Sequence, residues 1–384
     1  MKSIYLDNAA TTKPISTILE VIKPYIQEQW HNPSSLYDEG VKVKQKIESI
    51  RKELSDLINA KSSEIIFTSG ASESNNMAIR GWVDEQLTHE YGMVNIITTP
   101  IEHKSILEAV KNPNLGACVR YCDVDENGLV DCKILKKLLE FREGEPILVT
   151  LASANNEIGS LQNIGEIADL VHKYGGTLHI DATQSLPYIP VDVDKMGIDM
   201  LSASAHKFGG LKGCGFLYKK NNVNIKPLIY GSQEGSYRGG TENVIGIVAM
   251  GEALKFINYD RYDDLCRKRD YLIKLLEFKF GCKLNGHPTY RLPNNANVTF
   301  PQNITGEGLL YTLDISDIKI STGSACNSKE ITPSHVLKAI GLTDDEAMRS
   351  VRFTLSDEIT YEDIDEVINE IDKTIKLIEM LGDD

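Results

Sequence analysis

Through its middle, the chain alternates short runs of β-branched and aliphatic residues with longer stretches whose apolar residues recur at helical spacing. That alternation constrains the fold more than any other feature. Parallel strands need long crossovers, and helices serving as crossovers cover both faces of the sheet they connect. Strands are predicted at Glu64–Thr68, Val94–Thr99, Ile147–Ala152, Thr177–Asp181, Met200–Ala203 and Gly215–Tyr218. Helix-like segments lie between them, such as Gly165–Tyr174, where Ile167, Leu170 and Val171 share a face. The expected class is α/β, with a mostly parallel sheet sandwiched by helices.

Past about Leu254 the texture changes. A polar, helix-like stretch at Asp260–Phe278 precedes an isolated strand signal at Ala296–Phe300, and helices follow. The last helix is the clearest: Thr360 is its cap, Asp363 stands three residues on as in a capping box, and Ile364, Val367, Ile368, Ile371, Ile375 and Ile378 form one apolar stripe. The chain of 384 residues suits two domains at roughly 100–200 residues each. We expect a large domain over 14–254 and a smaller α+β domain over 255–384, completed by the N-terminal segment 1–13.

With 41 Lys+Arg against 55 Asp+Glu, a formal charge of −14, the chain is ill suited to wrap nucleic acid on its own, and direct nucleic-acid contact is not expected. No apolar run approaches the roughly 20 residues needed to span a bilayer, and Met1-Lys2-Ser3-Ile4-Tyr5-Leu6-Asp7 lacks a signal-peptide core, so no membrane partner and a cytoplasmic location are expected. The seven cysteines are odd in number, scattered and without a CxxC pair, unlike a disulfide scaffold or a zinc ribbon; no metal is expected.

Four constellations can carry chemistry. Ser69-Gly70-Ala71-Ser72-Glu73-Ser74-Asn75-Asn76 follows a strand and opens a helix, which makes it either a phosphate-binding turn or an ordinary cap; it is neither GxGxxG nor a Walker loop. Asp181 ends a strand at the edge where α/β folds bind ligands, or else caps the next segment. In Ser202-Ala203-Ser204-Ala205-His206-Lys207, a lysine among small residues just past a buried strand is placed to be desolvated, which makes its amine available for a Schiff base. Phosphate turn, aspartate and lysine together suggest pyridoxal phosphate. Cys326 sits in the polar run Ser321-Thr322-Gly323-Ser324-Ala325-Cys326-Asn327-Ser328, read as a mobile loop over 321–332 before a helix capped by Thr332. A thiol of pKa about 8.5 in such surroundings is nucleophilic, whereas the other six cysteines read as small core or surface residues.

In combination the sequence resembles the cysteine desulfurases, pyridoxal-phosphate enzymes of the class V aminotransferase group, over essentially the whole chain. The resemblance is carried by Tyr5-Leu6-Asp7-Asn8-Ala9-Ala10-Thr11-Thr12, Asn32-Pro33-Ser34-Ser35, the Phe67–Asn76 run, Glu102-His103-Lys104, Asn155-Asn156-Glu157-Ile158-Gly159, His179–Ser185, Ser204–Lys207, Arg238-Gly239-Gly240-Thr241-Glu242-Asn243, Gly323–Cys326 and Val351-Arg352-Phe353. It implies the fold-type I transferase architecture, a mostly parallel seven-stranded sheet between helices plus a smaller α+β domain. It also implies that Lys207 is the Schiff-base lysine, that Asp181 pairs with the pyridine nitrogen and that Gln184 bonds the ring oxygen. His103 stacks on the ring and assists proton transfer, and Asn156 lies near the ring oxygen and the substrate carboxylate. Ala71, Ser72, Ser204 and His206 hold the phosphate, Thr241 reaches it from the other subunit of a homodimer, and Arg352 clamps the α-carboxylate of L-cysteine. Cys326 takes the sulfur as a persulfide, leaving L-alanine, and passes it to an acceptor protein for iron–sulfur assembly, tRNA thiolation or DNA phosphorothioation.

Four positions depart from that pattern: His31, Tyr37, Ser72 and Leu211. Serine keeps the hydroxyl of the commoner threonine, and none of the four removes a catalytic group. Arg238 is placed by the resemblance near the site, with a structural ion pair as the alternative. A related selenocysteine lyase or aminotransferase, in which Cys326 matters less, and a catalytically idle scaffold are the competing readings. The intact set of Lys207, Asp181, His103 and Cys326 argues against the scaffold.

Overall fold

The computed structural model describes residues 3–89, 93–142, 144–301, 304–322, 324–327 and 330–382; at 324–327, 330–331 and 378–382 the description stops at the backbone. Seven strands, β1 (Ile65–Thr68), β2 (Asn95–Thr98), β3 (Cys118–Tyr121), β4 (Ile147–Ala152), β5 (Thr177–Asp181), β6 (Met200–Ser204) and β7 (Gly215–Lys219), form one sheet in the order β1-β7-β6-β5-β4-β2-β3. β7 runs antiparallel to both β1 and β6, and every other pairing is parallel. The sheet is therefore mostly parallel with one reversed strand. The edge strand β3 carries no apolar run and is half-exposed, so the sequence pattern did not mark it.

Because successive residues of a strand face opposite sides, alternate positions go to two separate cores. Ile97, Val149, Ile180, Leu201 and Phe216 pack beneath α1 (Asp38–Leu57) and α4 (Ile164–Lys173), with Ile47, Ile50, Leu54, Ile167 and Val171. Ile66, Ile96, Leu148, Met200 and Leu217 face α2 (Ala71–Gln86) and α3 (Lys104–Lys111), with Met77, Trp82, Val83, Ile106 and Val110. Burial on both faces explains why these strands read as continuous apolar runs.

A second sheet of four strands is antiparallel throughout: β8 (Lys283–Asn285), β9 (Asn295–Thr299), β10 (Ser321–Thr322) and β13 (Ser350–Thr354), in the order β10-β13-β9-β8. Its core joins Ala296, Val298, Val351 and Phe353 to Ile364, Val367, Ile368 and Ile371 of the last helix, α6 (Tyr361–Gly382). That helix starts as its sequence implies. Thr360 Oγ1 accepts from the Asp363 N–H at 3.1 Å, and an Asp363 oxygen accepts from the Thr360 N–H at 3.1 Å. The side chain of Ile378, the last of the stripe, lies outside the described residues. Ile4–Tyr5 pairs in parallel with Ile318–Lys319, and Ile4 and Leu6 bury in the same core, which fastens the N-terminal segment to this sheet.

Between β10 and β13 the structure differs from expectation. The segment read as a loop over 321–332 forms β10 and then a hairpin of β11 (Ser324–Asn327) and β12 (Glu330–Pro333), with Cys326 opposite Ile331. Serine and threonine are compatible with extended backbone, and no apolar periodicity marks a ladder this short. Proline at the end of β12 costs little, since an end position needs no donor. With Thr332 and Pro333 in the strand, the cap of the following α5 (His335–Ala339) is Ser334, whose Oγ accepts from the Val336 and Leu337 N–H groups at 3.1 and 3.3 Å. Among the described residues, no helix is long and apolar enough to cross a membrane.

Candidate active site

The parallel register aligns Ala152 of β4 with Asp181 of β5, and Asp181 with Ser202 of β6, so these strands end along one edge. Asp181 is buried there. One oxygen accepts from the Thr183 N–H at 3.0 Å and the other from Asn75 Nδ2 at 2.7 Å. It thus serves the following turn and faces the cavity at once.

β6 runs directly into the turn that carries His206 and Lys207. The Lys207 amine donates to the carbonyls of Ala9 and Ala10 at 2.5 and 2.9 Å, contacts supplied by the N-terminal segment. Burial first, and the nearby Arg352 cation second, bring its pKa down to about 8 against the opposing charges of Asp181 and Asp7. A pKa of about 8 leaves about 9% of the amine unprotonated at pH 7, against about 0.03% for an ordinary lysine. We therefore expect labelling of Lys207 by an amine-reactive trinitrobenzene sulfonate to be half-maximal near pH 8. A midpoint above pH 10, read by peptide mass analysis, would contradict this environment. His206, at about 4 through burial and the charges of Lys207 and Lys212, is neutral near pH 7, and its Nδ1 lies 3.1 Å from Thr11 Oγ1.

The turn from β1 to α2 lies opposite. Gly70, the residue before the helix, has φ +152°, and no side chain caps the first turn. A Cβ on Gly215 would come within 2.6 Å of the Gly70 Cα, so β7 needs glycine there to approach the turn. The uncapped N–H groups sit at the positive end of the helix, with Ser72 and Ser204 beside them along the cavity wall.

His103 caps α3 with its ring. Nδ1 accepts from the Ser105 N–H at 3.1 Å, which puts the proton of the neutral imidazole on Nε2. Burial lowers its pKa; Asp181 works against that shift, and Lys207, His335 and Lys104 add to it. Asn75 Nδ2 also donates to Ser105 Oγ at 2.9 Å, and this hydroxyl lies 2.8 Å from His103 Nδ1. A continuous chain of bonds therefore joins Asp181, Asn75, Ser105 and His103. Glu102, beside it, contacts Thr99 Oγ1 at 2.5 Å and accepts from the Ala152 N–H at 2.7 Å. Burial raises its pKa to about 8, and Asp181 adds to the rise.

These groups surround a cavity of about 560 Å³. Ala71, Ser72, His103, Asn156, Asp181, Gln184, Ser204, His206, Lys207 and Arg352, all singled out from the sequence, line it. Gln184 Nε2 donates to Ala9 O at 3.0 Å. Arg352 donates from Nη2 to Asp7 Oδ1 at 2.6 Å and from Nη1 to the Asn156 carbonyl at 2.9 Å. Thr241 is exposed and not on the cavity wall. The side chain of Cys326 lies outside the described residues, but a second cavity shares His103, Asn156 and Arg352 with the first and is walled by Ser321 and Thr322, just before the Cys326 hairpin, and by Thr332 and Pro333 of its second strand.

Arg238 forms an ion pair with Glu73 at 2.9 Å, so it acts on the cavity through a lining residue. His31 stacks on Trp30 at 4.6 Å and meets Tyr37 edge-on at 5.8 Å, and Leu211 packs against the main core, so these departures lie off the cavity wall. Sequence reading assigned no role to Asp7, Asn75, Glu102 or Ser105. Asn75 carried a signal in hindsight: a polar residue on the helix face that also holds Ala78, Ile79 and Trp82 needs a partner.

Over residues 4–367 the chain matches the family described as aminotransferase class-V. The chain belongs to that family. The class-V chain is 41% identical over 387 residues to the protein named cysteine desulfurase IscS of Dictyoglomus turgidum, covering 99% of this chain and 96% of that protein. Among solved structures, a NifS-like protein superposes with a TM-score of 0.89 at 32% identity, covering 98% of this chain and 100% of that one. A structure described as SspA in complex with cysteine gives 0.81 at 34% identity, over 92% and 99%. Class-V membership implies pyridoxal phosphate, and the residues suit it. An uncapped helix N-terminus flanked by hydroxyls fits a phosphate, while a buried carboxylate and a desolvated lysine suit the ring and the aldehyde.

Proposed function

We propose that this chain is a cysteine desulfurase, converting L-cysteine to L-alanine with transfer of sulfur to Cys326 and then to an acceptor protein. The observation that carries the reading is the convergence of Lys207, Asp181, His103 and Arg352 on one cavity, in a chain 41% identical to a protein named cysteine desulfurase. Residues 14–254 would form the cofactor-binding domain, and 255–384 with 1–13 the smaller one. The enzyme would act as a homodimer; the exposure of Thr241 suits a role toward the partner's cavity.

Pyridoxal phosphate, when bound, supplies an electron sink for the bonds at the substrate α-carbon. The first turn of α2 with Ser72, Ser204 and His206 would hold its phosphate, Asp181 its ring nitrogen, and Gln184 and Asn156 its ring oxygen. Arg352 would orient L-cysteine by its α-carboxylate, since a guanidinium fork matches two oxygens. Lys207 would then carry the α-proton, its amine already partly in the free-base form near neutrality. His103 presents an Nε2–H for proton transfer, its Nδ1 being held by Ser105.

Sulfur transfer falls to Cys326. Its thiolate attacks the sulfur of L-cysteine, and an S–S bond forms as the Cβ–S bond breaks. The carbon keeps the electron pair and takes up a proton, so L-cysteine and the Cys326 thiol become L-alanine and a Cys326 persulfide. A thiol of the acceptor protein then takes the outer sulfur and restores Cys326. The test is L-alanine formed from L-cysteine by the protein loaded with pyridoxal phosphate, in the presence of dithiothreitol. Alanine and sulfide in equal amounts are expected; a protein that forms neither would overturn the reading.

A further inference from the structure

Arg352 is 8% exposed, and its guanidinium is incompletely satisfied. Nη2 is held by Asp7 and Nη1 by the Asn156 carbonyl, while the buried Nε–H has no partner among the described residues. Leaving a buried donor of a charged group unpaired is costly, so a position that does so in the cavity wall is poised for an acceptor from a ligand. Asp7 takes Nη2 alone and does not close over the Nε–Nη2 edge as a fork. An edge with an unpaired donor is able to take a carboxylate oxygen.

The backbone of Asp7 is held independently of its side chain. The Leu6 N–H donates to Lys319 O at 2.8 Å, the Thr354 N–H donates to Leu6 O at 2.7 Å, and Asp7 bridges Thr354, the last residue of β13, the strand that carries Arg352. The same segment offers the Ala9 and Ala10 carbonyls to Lys207. A mobile guanidinium could swing toward other acceptors; one anchored at Nη1 and Nη2 keeps its unpaired Nε–H in one orientation.

We propose that Asp7 is a positioning residue that presets Arg352, fixing the guanidinium so that its unpaired edge receives the α-carboxylate of the amino-acid substrate. The inference rests on the desulfurase reading, in which Arg352 is the carboxylate clamp. Asp7 touches no reacting atom, so its loss weakens recognition of the carboxylate and leaves the later steps nearly intact.

The test uses the pyridoxal-phosphate-loaded enzyme and two probes, L-alanine and L-alaninamide, whose binding is followed by calorimetry. The wild type should prefer the acid over the amide by about tenfold or more, as a charge-assisted pair requires. D7N keeps the volume and one acceptor oxygen, and D7A removes both; each should cut that preference, D7A nearly to unity, while binding of the amide changes little. With L-cysteine, D7A should raise KM by about tenfold with kcat within about threefold, the pattern of lost uniform binding. Retained preference in both variants would overturn the inference while leaving the clamp in place. So would an equal loss for acid and amide, which would mark a purely structural role. A wild type that forms alanine from cysteine without preferring acid over amide would overturn the clamp and the preset together, without touching the desulfurase activity.

Discussion

Replacing Lys207 by alanine should lower alanine formation from L-cysteine by at least about a thousandfold, since proton transfer by a positioned side chain contributes about 10²–10⁴ on its own. The residue is placed for that work and for little else. Its amine is buried, bonded among the described residues only to the backbone carbonyls of Ala9 and Ala10, and pushed chiefly by burial to about 8. A buried ammonium without a carboxylate in contact is a poor device for stability, so the change should remove chemistry without removing the fold. Linkage supplies the check. The native pKa of about 8 lies below the unfolded value of about 10.4, so between those pH values the unfolded chain binds more protons and wild-type stability rises with pH. The cofactor-free Lys207→Ala variant should lose that rise in urea titrations at pH 8 and pH 10. A variant that still forms alanine at a tenth of the wild-type rate or more would remove Lys207 from the mechanism.

The seven-stranded sheet was legible because its strands are buried on both faces and write themselves as unbroken apolar runs. Ile147–Ala152 and Thr177–Asp181 match to the residue, while the expected Glu64–Thr68 is one residue too long at its start and Val94–Thr99 one too long at each end. The edge strand Cys118–Tyr121 escaped because an edge needs no such run. The hairpin around Cys326 escaped for another reason: a four-residue ladder built from small polar residues has neither helical nor alternating periodicity.

For the site, the sequence marked the groups that carry chemistry more readily than those that hold them. Lys207, Asp181 and the Ser69–Asn76 turn announce themselves by position, each at or just past the end of a strand. Asn75, Ser105 and Asp7 do not, because their importance is relational. Asn75 matters through being within reach of both Asp181 and Ser105, and Asp7 through meeting an arginine 345 residues away. Such pairs become visible only once the strands are in register. Glu102 is a similar case: burial and the nearness of Asp181 give it a pKa of about 8, and neither is written in its sequence neighbourhood.

Replacing Cys326 by alanine should leave cofactor binding intact and reduce alanine formation under dithiothreitol by about a hundredfold or more, because covalent catalysis is lost while the cavity keeps every lining group. The two effects separate because the hairpin of β11 and β12 pairs with no other described strand, and its described side chains, Thr332 and Pro333, are not among those that line the cavity holding Lys207. Thr332 of its second strand and Thr322 just before it instead line the adjoining cavity that shares His103 and Arg352. A two-stranded ladder on its own is marginal in water, which suits a thiol that serves the substrate first and an acceptor protein afterwards. Sulfur-labelled L-cysteine adds a direct readout. Wild-type protein should retain label that dithiothreitol releases, and the Cys326→Ala variant should retain none. Serine at 326 should behave as alanine does, since a hydroxyl of nearly the same size cannot hold a persulfide. Equal rates of alanine formation from wild type and variant would assign the reaction to a lyase, in which sulfur leaves without passing through the protein, and Cys326 would lose its role.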